Sequence, residues 1–596
     1  MSQTSLRILC VHGVGHEEAQ PRWMDDWRQA IADGVRQWNA ARAVECEFVR
    51  YDDLFAAAPL NPATVAEAIA KLVASGVWHG LGDLFARRRG LFELPDRLRW
   101  TAGMVAQWAE NDALRAAARQ RVLEHVEKFQ PTVICAHSLG SLISYDLFGR
   151  KQHEAAIAGR RFVSFGSQIG NPFVRSALGG RIKELAQARM WFHLFNEHDD
   201  AFTAKIRLNA ENFCQVDTRF DIEGILDHDA VAYLKHPQTT ATVWREIAGG
   251  SAARAFTERV RQLKPAIKRS QRRALLVGIN DYPDEANRLE GCVNDVFLMS
   301  SALQEIGFQP EDIRVVLDER ATAKGILERL EWLLDGAGEG DARVFFYSGH
   351  GAQLPGYGAH EQVDRQDECL VPHDFDWSRE RAVIDDQFYE LYSQLPYKAN
   401  FLAIFDCCHS GGMTRDSGLR VRGLNPPDDI RHRLLKWNPT EQMWEVRKVR
   451  LANLDADKWT EKTTFDKAAM AGESGAVRKL GRAVALRSLS DDAYNRARNE
   501  FDHKGAYLPV ILQACQEREF AAEYRHGVQS YGAFTYALAL VFRENLTKKE
   551  PLRWQELVKR AAEKLKRLGY AQTPALVCPK VLRDQPIPHA VSDMGA

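Results

Sequence analysis

The sequence predicts an α/β fold class, with two α/β domains in series, on three observations. Short apolar runs of strand length recur at Leu6 to Val11, Thr132 to Ala136, Arg161 to Phe165 and Met190 to Phe195, and again at Ala274 to Ile279, Ile313 to Leu317, Val344 to Tyr347 and Phe401 to Phe405. Stretches with helical spacing of apolar residues lie between them, the alternation that a mostly parallel sheet with crossover helices requires. The chain has 596 residues, more than one hydrophobic core usually serves. Finally, the strand pattern stops near Gly249-Gly250-Ser251 and resumes at Ala274, across a basic stretch holding Lys264, Lys268, Arg269, Arg272 and Arg273.

These breaks give residues 1–250 as a first domain, 251–273 as a basic linker and 274–596 as a second domain. Within the second, about 417–500 turns highly charged around Asn425-Pro426-Pro427 and reads as an insertion, with strand-like order returning at Tyr507 to Leu512. Composition is 45% hydrophobic and 27% charged, which is globular and not fibrous or disordered. Lys plus Arg number 79 against 80 for Asp plus Glu, a formal charge of −1, so no global field draws in nucleic acid. Ten cysteines are thinly scattered with no CxxC pair and no leader ahead of them, which predicts reduced thiols and a cytoplasmic location. No apolar run reaches the ~18 residues that a spanning helix needs, so no transmembrane segment is expected.

In the first domain, Ala136-His137-Ser138-Leu139-Gly140 closes a strand and opens a helix. Small residues two positions either side of a serine are what a strained strand-to-helix turn demands, since bulk there meets neighbouring backbone. The plainer alternative is that Ser138 only caps the helix. Downstream lie Asn196-Glu197-His198-Asp199-Asp200 and Asp227-His228-Asp229-Ala230, so that Ser138, an acid and His228 follow in that order, with His193, His198 and His236 as rival histidines. VHGVGH, AHSLG and FGSQIG resemble the motifs of α/β-hydrolase-fold serine esterases and lipases, over roughly residues 5 to 240. The resemblance implies a Ser138, Asp200, His228 triad acting on an ester or lipid. Asp199 is the alternative acid; Asp200 is favoured because the small then apolar Ala201-Phe202 follows it, as in the family's D-P-V. Backbone N–H groups of Val14 and Leu139 would form the oxyanion hole.

In the second domain, Phe345-Phe346-Tyr347-Ser348-Gly349-His350-Gly351 and Ile404-Phe405-Asp406-Cys407-Cys408-His409-Ser410-Gly411 each end a buried strand. Catalytic groups sit at that carboxyl edge in open parallel sheets. The interval from His350 to Cys408 is 58 residues, close to the ~50 between the histidine and cysteine of caspases. A thiolate needs a base beside it and two N–H donors for the oxyanion, and the N–H groups of Gly351 and Cys408 are candidates.

YSGHG, DCCHSG, LVGINDY and LEGCVNDV resemble the motifs of metacaspases and the wider caspase-like peptidases, over about 272 to 415 and 505 to 580. The resemblance implies a Cys408–His350 dyad, with Cys407 facing the core, cleaving a protein substrate after Arg or Lys held by Asp295 and Asp406. It also implies calcium, for which Asp367, Asp385 and Asp386, with Asp374, supply hard oxygen ligands; a solvated acidic loop is the alternative. The expectation is thus a bifunctional hydrolase whose peptidase cuts itself within 417–500 or cuts the linker and releases the first domain. The competing expectation is a peptidase carrying a catalytically degenerate hydrolase-like binding module.

Overall fold

The computed structural model describes residues 5–13, 22–57, 96–199, 201, 203–222, 228–249, 255, 271–355, 366–407, 435–438, 443–446, 491–515, 521–526, 529–548 and 551–587. Of these, 96–101, 355, 366, 367, 385, 386, 435–438, 443–446, 491, 547, 548 and 580 are described as backbone alone. By internal contacts the chain divides into two compact units, Met1–Lys268 with Leu486–Ala506, and Arg269–Ala485 with Tyr507–Ala596. The end of the charged stretch, expected to belong to the second domain, therefore packs with the first.

The first unit is built on six parallel strands, β1 (Leu6–Val11), β2 (Val44–Val49), β3 (Val133–His137), β4 (Arg161–Phe165), β5 (Met190–Phe195) and β6 (Phe213–Asp217), in the order β2-β1-β3-β4-β5-β6. Side chains alternate between two buried clusters. Leu9, Val11, Ile134 and Ala136 enter one, and Ile8, Cys10, Val133 and Cys135 the other. Burial on both faces is why β1 and β3 read as unbroken apolar runs. Helix α1 (Trp23–Trp38) lays Trp23, Trp27, Ala30, Ile31, Gly34 and Val35 in one stripe against the sheet. Gly34 has no room for a β-carbon, which would stand 2.3 Å from the Trp244 ring. Because β2 lies on one side of β1 and β3 on the other, the sheet has a switch point there, the crevice in which open α/β sheets bind ligands. His12-Gly13 leaves β1 at this point and Ser138 leaves β3.

The second unit repeats this order in its own sheet of β7 (Arg272–Gly278), β8 (Ile313–Leu317), β9 (Ala342–Ser348), β13 (Asn400–Asp406), β16 (Val510–Gln513) and β19 (Ala575–Val577), arranged β8-β7-β9-β13-β16-β19. All pairs are parallel except β16 with β19. The remaining strands lie off this sheet: β10 (Gly351–Pro355), β11 (Gln366–Leu370) and β12 (Val383–Ile384) form a small antiparallel sheet, and β14 (Leu435–Asn438) with β15 (Met443–Val446), and β17 (Glu523–His526) with β18 (Gln529–Gly532), form two-stranded ladders. Val296, Met299 and Leu303 of helix Cys292–Glu305 and Phe534, Leu538 and Val541 of helix Ala533–Lys548 cover one face of the main sheet. Among the described residues no helix is long and apolar enough to cross a membrane.

Two candidate active sites

In the second unit the register sets Ser348 at the end of β9 beside Asp406 at the end of β13. His350 follows two residues beyond Ser348 and is buried, with its backbone held on both sides. Its N–H donates to the Tyr282 hydroxyl at 2.9 Å, and its carbonyl accepts from the Tyr347 hydroxyl at 2.8 Å and from the Val371 N–H at 3.1 Å. Burial pushes both phenols well above their ordinary range, so each keeps its proton as a donor. The His350 Nε2–H donates to the Asn287 carbonyl at 2.7 Å. In the neutral ring that leaves Nδ1 as the basic nitrogen, the tautomer an acceptor for a thiol proton needs. Gly351 begins β10 and pairs with Leu370. Cys408 lies outside the described residues; Cys407 is buried, as expected of the core-facing member of the pair.

Asp295 and Asp406 are both fully buried and converge on one short segment. Asp295 accepts from the Gly532 N–H at 2.7 Å and the Ser348 hydroxyl at 2.8 Å. Asp406 accepts from the Thr535 N–H at 3.0 Å and the Thr535 hydroxyl at 2.6 Å. The turn between β18 and helix Ala533–Lys548 thus positions both carboxylates, and Ser348 ties the pair to the strand that delivers His350. The side chains of Asp367, Asp385 and Asp386 lie outside those described. Asp374 accepts from the Ala323 N–H at 2.8 Å and so caps a helix, and no cluster of three metal-ligating side chains occurs among the described residues.

In the first unit Ser138 has φ +48°, a left-handed conformation that a non-glycine residue adopts only under constraint. The constraint is close packing. A β-carbon on Gly140 would stand 2.2 Å from the His12 carbonyl oxygen, and one on Gly13 would stand 2.8 Å from the Ser138 β-carbon. This is the physical content of the small-residue pattern around Ser138. Leu139, second in helix Ser138–Phe148, has one of the N–H groups that no helical carbonyl can reach; Val14 lies outside the described residues.

His228 Nδ1 is 2.8 Å from Asp199 Oδ2, and the Tyr233 hydroxyl donates to that same oxygen at 2.7 Å. The acid meeting His228 is therefore Asp199, while Asp200, favoured by the sequence, lies outside the described residues. The His228 ring also lies 4.6 Å from that of His137, the residue before Ser138. Ser138 and His228 are not hydrogen-bonded; the Ser138 hydroxyl has the Gln168 amide at 3.5 Å. Of the rival histidines, His193 is fully buried between Ser164 and the Ala204 carbonyl, and His236 accepts the Gln238 N–H.

Tyr233, Asn287 and Thr535 enter these sites without having been expected. Tyr282, Ser348 and Gln168 had a signal, since each stands inside a motif singled out for its neighbours, LVGINDY, YSGHG and FGSQIG.

The caspase domain family matches residues 271–585 of the chain. Metacaspase-9 of Arabidopsis thaliana is 32% identical over 322 residues, covering 52% of this chain and 94% of the relative. Metacaspase-6 of the same plant is 28% identical over 370 residues, covering 52% and 96%. Metacaspase-1 of Schizosaccharomyces pombe is 28% identical over 322 residues, covering 52% and 67%. Together with the buried His350 at the edge of a sheet whose next strand leads to Cys408, these likenesses show that the chain belongs to the caspase-domain family of cysteine peptidases and carries a metacaspase-like domain in its C-terminal half.

Proposed function

We propose that the metacaspase-like domain uses Cys408 and His350 to cleave proteins after Arg or Lys, and that the first unit is a second, ester-hydrolysing centre built on Ser138, His228 and Asp199. The observation that carries the peptidase reading is the register. Ser348 pairs with Asp406 at the ends of adjacent parallel strands, and in the sequence His350 and Cys408 each come two residues after a member of that pair. His350 Nδ1 takes the thiol proton, the thiolate adds to the scissile carbonyl, and N–H groups of Gly351 and Cys408 receive the oxyanion. The proton then passes to the leaving amine, and water releases the acyl group. Asp295 and Asp406 support the preference for a cation, because two buried carboxylates at one site favour a positively charged side chain and reject an acidic one.

The esterase reading rests on the left-handed φ of Ser138 at the switch point and on the His228–Asp199 contact. Asp199, held by Tyr233, fixes the imidazole tautomer that leaves Nε2 as the basic nitrogen, and catalytic hydrogen bonds to the nucleophile are often long before substrate binds. The missing Ser138–His228 bond is also what a degenerate module would show. The test is crossed. Wild type, Cys408→Ala and Ser138→Ala are assayed on an Arg peptide and on a short p-nitrophenyl ester. Each variant should lose one activity and keep the other. An ester rate unchanged in Ser138→Ala leaves only the peptidase.

A further inference from the structure

Residues 491–506 are separated in sequence by more than 270 residues from the last strand of the first unit, yet they complete its core. Phe501 is fully buried in the same cluster as Tyr145 and Phe148. Its ring lies 6.1 Å from that of Tyr145 at an interplanar angle of 19°, and the Arg150 guanidinium sits 5.2 Å from its centroid. Gly149 makes the seat, since a β-carbon there would stand 2.7 Å from the Phe501 ring. Backbone joins as well, the Lys151 N–H donating to the Glu500 carbonyl at 2.8 Å. Beyond the turn, His503 Nε2–H donates to the Leu178 carbonyl at 3.2 Å while Nδ1 accepts the Gly505 N–H at 3.0 Å, which fixes the neutral tautomer.

Charge locks this seat. Asp146 is fully buried, with Arg119 at 2.6 Å, Arg150 at 2.9 Å and Arg115 at 3.7 Å. Three guanidiniums face this one carboxylate; Arg115 also has Asp112 at 3.7 Å, and Glu500 brings a further carboxylate to Arg150. An uncompensated buried charge is costly, and the buried Arg150, which shares Asp146 with two other guanidiniums, is less well compensated without the segment.

We propose that the surface formed by residues 145–151 and 178–183 is a docking site whose partner is the chain that follows the catalytic cysteine of the peptidase, seated through residues 491–506. Cleavage at the linker then leaves residues 1 to about 260 bound to the rest of the chain without a peptide connection, where the sequence led us to expect release. Cleavage within 417–485 leaves the C-terminal fragment seated on the first unit. The segment keeps the units together whichever bond is cut, and this holds whatever chemistry Ser138 performs.

The test uses the full chain carrying Cys408→Ala, so that it cannot process itself, with a recognition site for a highly specific protease placed between residues 260 and 265. After cutting, the two fragments should co-elute on size exclusion, and the Lys151 and Gly505 amides should keep their protection from hydrogen exchange. Phe501→Asp and Glu500→Arg should each release the first fragment after the cut, and Arg150→Glu added to Glu500→Arg should restore co-elution. Separation of the cut parent chain, or Lys151 and Gly505 amides that exchange as in an unfolded peptide, overturns the proposal without recourse to any variant. So does co-elution that survives both Phe501→Asp and Glu500→Arg.

Discussion

Thr535 donates twice to one oxygen of Asp406, through its backbone N–H at 3.0 Å and its hydroxyl at 2.6 Å. Thr535 lies 129 residues beyond Asp406 in the chain, so the carboxylate one residue before the Cys407–Cys408 pair is set by the far end of the peptidase domain. Thr535→Val keeps the shape and removes the hydroxyl, leaving a buried carboxylate short of a donor. The expected cost is about 1–3 kcal/mol of stability, with a rise in KM for Arg peptides. An unchanged melting temperature and KM would show that the contact does not hold the pocket.

Asp295 and Asp406 meet the same turn. If the two form the proposed pocket, replacing either with Asn removes a desolvated charge facing the substrate's cation, and kcat/KM for Arg or Lys peptides should fall by the equivalent of roughly 2–5 kcal/mol. Steady-state kinetics decide this. The pocket assignment is lost if Asp295→Asn cleaves Arg peptides at the wild-type rate.

For the first unit the prediction separates two adjacent acids. Asp199→Asn should lower ester hydrolysis steeply, by roughly 10,000-fold where the acid sets the tautomer of the histidine. Asp200→Asn should leave most of it, and Tyr233→Phe should lower kcat less than Asp199→Asn does. The reverse order of the two acids would restore Asp200 to the triad.

Two histidines predict a pH dependence. Burial pushes His193 and His503 down to about 4 from an ordinary 6.5; for His503 the cations of Arg181, Arg498 and Lys183 act in the same direction. Between those values the unfolded chain takes up protons that the folded chain does not, so stability falls as pH drops from 6.5 toward 4 and is flat above 6.5 on their account. The slope is about 1 kcal/mol per pH unit for each group. Thermal melts of the first unit at pH 7.5 and pH 5 should show the lower transition at pH 5. Equal transitions, or a lower one at pH 7.5, contradict the sign.

The buried strands were legible because each is covered on both faces. Leu6–Val11 and Arg161–Phe165 keep the bounds expected of them, and Ile313–Leu317 does so although partly exposed. The edge strands of the first sheet were not. Val44–Val49 reads Val-Glu-Cys-Glu-Phe-Val and is mostly half-exposed, so its alternation carries no apolar run. The dyad motifs were legible because a strained turn and a sheet edge admit few residue types. Asp199 stood second to Asp200 in the sequence because two adjacent acids differ only in where the loop turns. The assignment of 486–506 to the first unit left no local trace. Arg150 and Glu500 recognise each other across a separation that periodicity does not reach.

The most direct measurement is a positional peptide library read with wild type beside Cys408→Ala. Wild type should cleave after Arg and Lys and not after Asp, and Cys408→Ala should be silent while Cys407→Ala retains most activity. Cleavage after Asp by wild type, or hydrolysis of Arg peptides by Cys408→Ala at the wild-type rate, would contradict a Cys408–His350 dyad served by Asp295 and Asp406.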